Sequence, residues 1–186
     1  HSEAAFWVSV GDVASDSGEY VAPPAPLYWI KGNKDNFEVI AALLRGVKRP
    51  ANLHYIPNGV ARRIGSLNVA ALGGTLAPTW YETPAAELPV RTPRRPGGRV
   101  DDKRRHFVRA EVEACKALRG IDVFLTHEAP RPFPVKRPGP PDRGGTIDAG
   151  KTPINEALAA MRPRLHLFGH HHCFSDATRQ GVRSVC

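Results

Sequence analysis

Leu165-His166-Leu167-Phe168-Gly169-His170-His171-His172 is the stretch on which the reading of this chain turns. A short apolar run with strand character ends in a glycine, and a histidine cluster follows at once. Glycine lets a backbone turn sharply where a buried strand stops, and alternate side chains beyond it can converge on one point. His170 and His172 have that spacing, and neutral imidazole is the commonest ligand for a divalent transition metal. A surface tract or a tag remnant is the competing explanation for three histidines. Their position behind an apolar run, inside the sequence, speaks against a tag.

Three more segments repeat the pattern. Phe6-Trp7-Val8-Ser9-Val10 leads into Gly11-Asp12, and Leu27-Tyr28-Trp29-Ile30 leads through Lys31 into Gly32-Asn33-Lys34-Asp35. Ile121-Asp122-Val123-Phe124-Leu125 leads into Thr126-His127-Glu128. Each run ends at a residue able to ligate a metal: Asp12, Asn33, His127, then His170 with His172. In layered α/β sheets, functional groups collect beyond the carboxyl ends of the strands. An ordinary strand-to-loop turn explains any one of these, since Gly, Asp and Asn are common there. Four in one chain make that explanation poor. The mixed nitrogen and oxygen donors favour Mn, Fe or Zn over Ca.

The ordered set Gly-Asp, Gly-Asn-x-Asp, Thr-His-Glu and Gly-His-x-His resembles that of the calcineurin-like metallophosphoesterases. The resemblance implies an α/β fold, a layered β-sandwich flanked by helices, with residues 1–186 forming a single domain. It implies two divalent metal ions (Mn, Fe or Zn), with Asp12 bridging both. Asn33, His127 and His170 would complete the second ion's ligands, and His172 would reach the first. The implied activity is hydrolysis of a phosphodiester by metal-activated hydroxide, with nucleic acid among the substrates. Lys34 stands where the family's Gly-Asn-His-Asp/Glu motif has a catalytic histidine. A lysine stays charged unless desolvated, so Lys34 is expected to stabilise developing negative charge.

The family's opening Asp-x-His motif has no counterpart before Asp12, so the chain reads as lacking its first β-α unit, and its end at Cys186 reads as early. Within the family, residues 52–76, 102–118 and 125–131 look most like the RNA lariat debranching enzymes. Two other readings stay open: a phosphomonoesterase or protein phosphatase of the same family, and a non-catalytic, metal-stabilised interaction module.

Composition sets the frame. At 186 residues the chain suits one domain, and no apolar run is long enough to span a bilayer. Cys115, Cys173 and Cys186 are few, odd in number and widely spaced, which suggests a reducing, cytoplasmic setting. Net charge is +8, from 26 Lys and Arg against 18 Asp and Glu. The excess gathers in two Pro- and Gly-rich runs. One holds Arg91, Arg94, Arg95, Arg99, Lys103, Arg104 and Arg105, and the other Arg131, Lys136, Arg137 and Arg143. Attraction of a phosphate-rich substrate and plain solvated loops explain these runs equally well. Neither run interleaves aromatics, so neither supports base stacking.

Coarse patterning completes the expectations. Apolar spacing predicts a helix over Phe37 to Leu44, capped by Asn36. Leu53 to Leu72 reads as short alternating strands, with Pro57-Asn58-Gly59 as a hairpin turn. Ala77 to Val100 reads as a Pro-rich loop, Asp101 to Leu118 as a helix and Ala129 to Lys151 as a second loop. Pro153 to Met161 reads as a helix with proline at its start.

Overall fold

The computed structural model describes residues 4–14, 19–47, 50–90, 102–136 and 145–186. In chain order, β1 (Trp7–Ser9), β2 (Leu27–Trp29), α1 (Phe37–Leu44), β3 (Leu53–Tyr55), β4 (Ala61–Ile64), β5 (Leu67–Leu72) and β6 (Thr75–Leu76) fill the first part. Then come β7 (His106–Phe107), α2 (Arg109–Ala117), β8 (Val123–Thr126), β9 (Pro134–Lys136), β10 (Thr146–Asp148), α3 (Thr152–Met161), β11 (Leu165–Leu167), β12 (Asp176–Arg179) and β13 (Val182–Val185). The result is a mixed α/β fold with several sheets and three α-helices among the described residues.

Two sheets dominate. One is the three-stranded parallel sheet β1-β2-β3, and the other is six-stranded in the order β12-β13-β11-β8-β5-β4. In the larger sheet β5, β8, β11 and β13 run parallel, and the edge strands β4 and β12 are antiparallel. Alternation along each strand sorts the side chains. Val8, Tyr28, Ile56, Val69, Ala71, Val123, Leu125 and Leu167 join one apolar cluster, drawn from both sheets. Leu27, Trp29, Leu53 and Tyr55 point the other way and pack with Phe37, Ile40 and Leu43 of α1. On the far side of the larger sheet, Ala70, Leu72 and Phe124 meet Val112 and Cys115 of α2 and Ile154, Ala157, Leu158 and Met161 of α3. Helices thus lie outside each sheet, and every helix buries one stripe.

The helix over 37–44 forms where its pattern places it, with the Asn36 side chain accepting from the Glu38 and Val39 N–H groups. Other expectations need correcting. The helix expected from Asp101 begins only at Arg109; residues 103–105 form a 3-10 turn capped by Asp102, and His106–Phe107 pairs with β6. Lys31 is the reason. Its buried ammonium takes the carbonyls of Arg104 (3.0 Å) and His106 (2.9 Å), acceptors a helix would need for itself.

Pro57-Asn58-Gly59 is no hairpin turn. It carries the chain from β3 in one sheet to β4 in the other, and the true hairpin turns at residues 65–66. Asn58 holds this crossover by bonding both the N–H and the carbonyl of Gly73. The loop expected over 129–151 contains the antiparallel pair β9-β10. No helix among the described residues is long and apolar enough to cross a membrane.

Candidate metal centre

Asp12, Asn33, His127 and His170 each lie just beyond the carboxyl end of a strand, β1, β2, β8 and β11 in turn. The fold brings them together. Ligand atoms of Asp12, His127 and His170 all lie within 4.8 Å of one another, and Asn33 Oδ1 is 3.0 Å from His127 Nε2. The His127 and His170 rings sit 4.8 Å apart, centroid to centroid. Two glycines permit the approach. A Cβ on Gly32 would collide with Asp12 Oδ1, and one on Gly11, at φ 109°, would fall 2.7 Å from His127 Nδ1.

Hydrogen-bond accounting shows what the cluster lacks. His127 Nδ1 is 2.7 Å from the Val10 carbonyl, which can only accept, so Nδ1 carries the proton. His127 Nε2 is then a bare lone pair facing Asn33 Oδ1 at 3.0 Å and Asp12 Oδ2 at 3.7 Å. Acceptors face acceptors, an arrangement that a cation between them would satisfy. The carbonyl behind the ring is also the usual device that fixes a histidine's orientation towards a metal. His127 is buried, while Asp12 and His170 are half-buried. Burial, and then the neighbouring His127, push the His170 pKa below its ordinary value, which favours the neutral, ligating form. The donor set of one carboxylate, one amide oxygen and two imidazoles could hold a divalent metal ion.

The remaining site expectations sort differently. His172 is exposed, at φ 51°, and lies outside the Asp12–His127–His170 group. His171, between the two, packs on Phe133 at 4.8 Å, and burial lowers its pKa to about 4. Lys34 is exposed on the Asn33 loop, and its backbone N–H donates to Asp12 Oδ1 at 2.8 Å. Its contact with the centre is therefore through the main chain.

Asp35 is the residue whose part the sequence alone does not reveal. Its buried carboxylate accepts from backbone N–H groups on both the Asp12 and Asn33 loops. The acid following Gly-Asn-x was its only signal.

The basic runs are partly visible. Arg91, Arg94, Arg95, Arg99, Arg137 and Arg143 lie outside the described residues. Among the described ones, Arg104 pairs with Asp102 at 2.6 Å and with Glu38, and Arg131 pairs with Asp148 at 2.8 Å. Lys103 lies over the Trp80 ring at 5.5 Å. These charges are committed within the protein.

No protein-family model and no curated protein matches the chain. Among the solved structures that match, one crystal structure superposes with a TM-score of 0.57 at 13% sequence identity, covering 88% of this chain and 57% of that one. That likeness shows fold alone. The chain spans little more than half the length of that structure.

Proposed function

We propose that this chain carries the metal centre of a calcineurin-like metallophosphoesterase and serves hydrolysis of a phosphodiester. The observation that carries this reading is the ring of facing acceptors, Asp12 Oδ2, Asn33 Oδ1 and His127 Nε2, completed by His170. The layering of helix, two sheets and helices is compatible with the sandwich of that family, and the order of the four strand-end motifs agrees with it.

Asp12, Asn33, His127 and His170 would hold one ion; a second would share Asp12 and draw on His172, which is exposed two residues beyond His170. A divalent ion bound there supplies positive charge against a shielded phosphoester and makes water more acidic. The chain's own residues do the rest. Asp12, with an oxygen left over after accepting from Lys34 N–H, fixes the centre to the Asn33 loop. His127 is oriented by Val10, and the exposed Lys34 ammonium is available to an anionic substrate.

The test is binding and turnover with Mn²⁺ or Zn²⁺. Calorimetry should show a chelator-reversible site that His127→Ala removes, and a generic phosphodiester should be hydrolysed faster than a phosphomonoester. Preference for the monoester would reassign the substrate class to a phosphatase. In the complete protein, binding without turnover on either substrate would favour a metal-stabilised interaction module, and no binding of either ion would sink the reading.

A further inference from the structure

We propose that Asp35 is a positioning residue for the metal centre: its carboxylate clasps the Asp12 loop to the Asn33 loop and so sets ligand spacing before any ion binds. This rests on the metal reading above but is separable from it, because the clasp is a property of the chain itself.

Each oxygen of Asp35 has its own work. Oδ2 accepts from the N–H of Asp12 at 3.0 Å and of Gly32 at 2.6 Å, one donor from each loop. Oδ1 accepts from Val13 N–H at 2.9 Å, Ala14 N–H at 3.1 Å and the Tyr20 hydroxyl at 3.2 Å. The group is only 5% exposed, so water is a poor substitute for any of these partners. The tie is reciprocal. Asp35 takes main-chain donors from the Asp12 loop, and Asp12 Oδ1 takes the Lys34 N–H from the Asp35 loop. Asp12 also sits in the left-handed region at φ 56°, a conformation that a non-glycine residue keeps only where its surroundings over-determine it. Four N–H bonds onto one anion, three of them from Asp12 and its next two residues, do that.

No other described residue is placed to replace the clasp. Asn33 and Asp12 are ligand candidates themselves, and Tyr20 reaches Asp35 with one hydroxyl while accepting from Asn36 N–H at 3.1 Å. Among the described residues the Asp35 carboxylate bonds main-chain N–H groups and the Tyr20 hydroxyl, so its influence on an ion would pass through the Asp12 and Asn33 loops.

An amide cannot reproduce this. In Asp35→Asn one oxygen becomes an NH₂ group, which would point a donor at donors on one side or the other. The expected result in the full chain without metal is faster amide hydrogen exchange at Asp12, Val13, Ala14 and Gly32, with β5, β8 and β11 still protected. Calorimetry with Zn²⁺ should then give an affinity about 10–100-fold weaker, the range for lost outer-shell support. The Co²⁺ absorption spectrum should change in shape as well as in midpoint. A merely structural role would lower unfolding stability yet leave the affinity and spectrum of the folded protein alone.

Should Asp35→Asn fail to fold, Tyr20→Phe removes a single donor; it should weaken Zn²⁺ binding a few-fold and raise exchange chiefly at Val13 and Ala14. Unchanged exchange at the four amides in Asp35→Asn, or in its place unchanged exchange at Val13 and Ala14 in Tyr20→Phe, overturns the clasp whatever the ion does. Altered exchange with unchanged Zn²⁺ affinity overturns its positioning role. A parent chain that binds no Zn²⁺ while the exchange changes appear overturns the metal reading and leaves the clasp standing.

Discussion

His166 and His127 sit on neighbouring parallel strands, 166 within β11 and 127 at the end of β8, and both are buried. Their hydrogen-bond accounts are opposite. Thr126 Oγ1 donates to the Glu128 carbonyl at 2.6 Å, so it accepts from His166 Nε2 at 2.8 Å, and Ser184 Oγ serves His166 Nδ1 at 3.1 Å. With the Ser184 proton turned to Nδ1 rather than to the Val182 carbonyl at 3.4 Å, donors match acceptors in one neutral tautomer. His127 has a donor's partner behind it in Val10 and only acceptors in front, Asn33 Oδ1 and Asp12 Oδ2. A closed account marks a histidine that holds the core together; an open one, shared by a second histidine and a carboxylate, marks a group that could hold a cation. Histidine content alone does not separate the two, and neither does burial.

The contrast breaks most visibly at His127. His127→Ala should abolish Zn²⁺ binding by calorimetry, since loss of outer-shell support already costs about 10–100-fold and a ligand must cost more. An affinity within a few-fold of the parent would remove His127 from the centre.

The matching change, His166→Leu, should do the reverse. It leaves the Thr126 and Ser184 hydroxyls without their buried partner, a loss of about 1–3 kcal/mol in urea unfolding, with Zn²⁺ affinity unchanged. Loss of ion binding by a well-folded His166→Leu protein would erase the distinction between the two histidines.

Acidity sharpens it further. Burial, and to a lesser degree Arg179, hold the His166 pKa down at about 3 against an ordinary 6.5. Burial and the nearby Arg105 hold His106 at about 4. Below pH 6.5 the unfolded chain takes up protons that these native rings refuse, so stability is full above pH 6.5 and falls as pH drops towards 3. Each refused proton contributes at most about 1.4 kcal/mol per pH unit within that window. Chemical denaturation from pH 7 to pH 4 should show the decline, and His166→Leu should show a shallower one. An identical slope in the two proteins would mean that His166 titrates near its ordinary value in the fold.

Much of this was open to inspection in the sequence because it is local. The helix over 37–44 has its cap and apolar stripe within one segment, and the four strands before Asp12, Asn33, His127 and His170 announce themselves as apolar runs. What stayed hidden depends on distant partners. Residues 102–107 look helical until Lys31 takes two of their carbonyls from across the fold. Pro57-Asn58-Gly59 has turn chemistry, but β3 pairs with β2 in one sheet and β4 with β5 in the other. Asp35 is a single acid in a loop until the Asp12 loop supplies its donors. Spacing likewise says that ligands end strands; which atoms face one another is decided by tertiary packing.

Lys34 gives the smallest and most discriminating effect. Its tie to the centre runs through the backbone, N–H to Asp12 Oδ1 at 2.8 Å, while its side chain is exposed. Any residue but proline keeps that bond. Lys34→Ala should therefore leave Zn²⁺ affinity within about twofold, well under the outer-shell range. Lys34→Pro should weaken it, because Asp12 loses the donor that steadies one oxygen. On a phosphodiester, Lys34→Ala should slow turnover if the ammonium meets developing negative charge, and Lys34→His should shift the pH profile towards the imidazole range. Full activity in Lys34→Ala would confine Lys34 to its main-chain role. Equal loss of Zn²⁺ binding in the Ala and Pro variants would show instead that the side chain supports the ion.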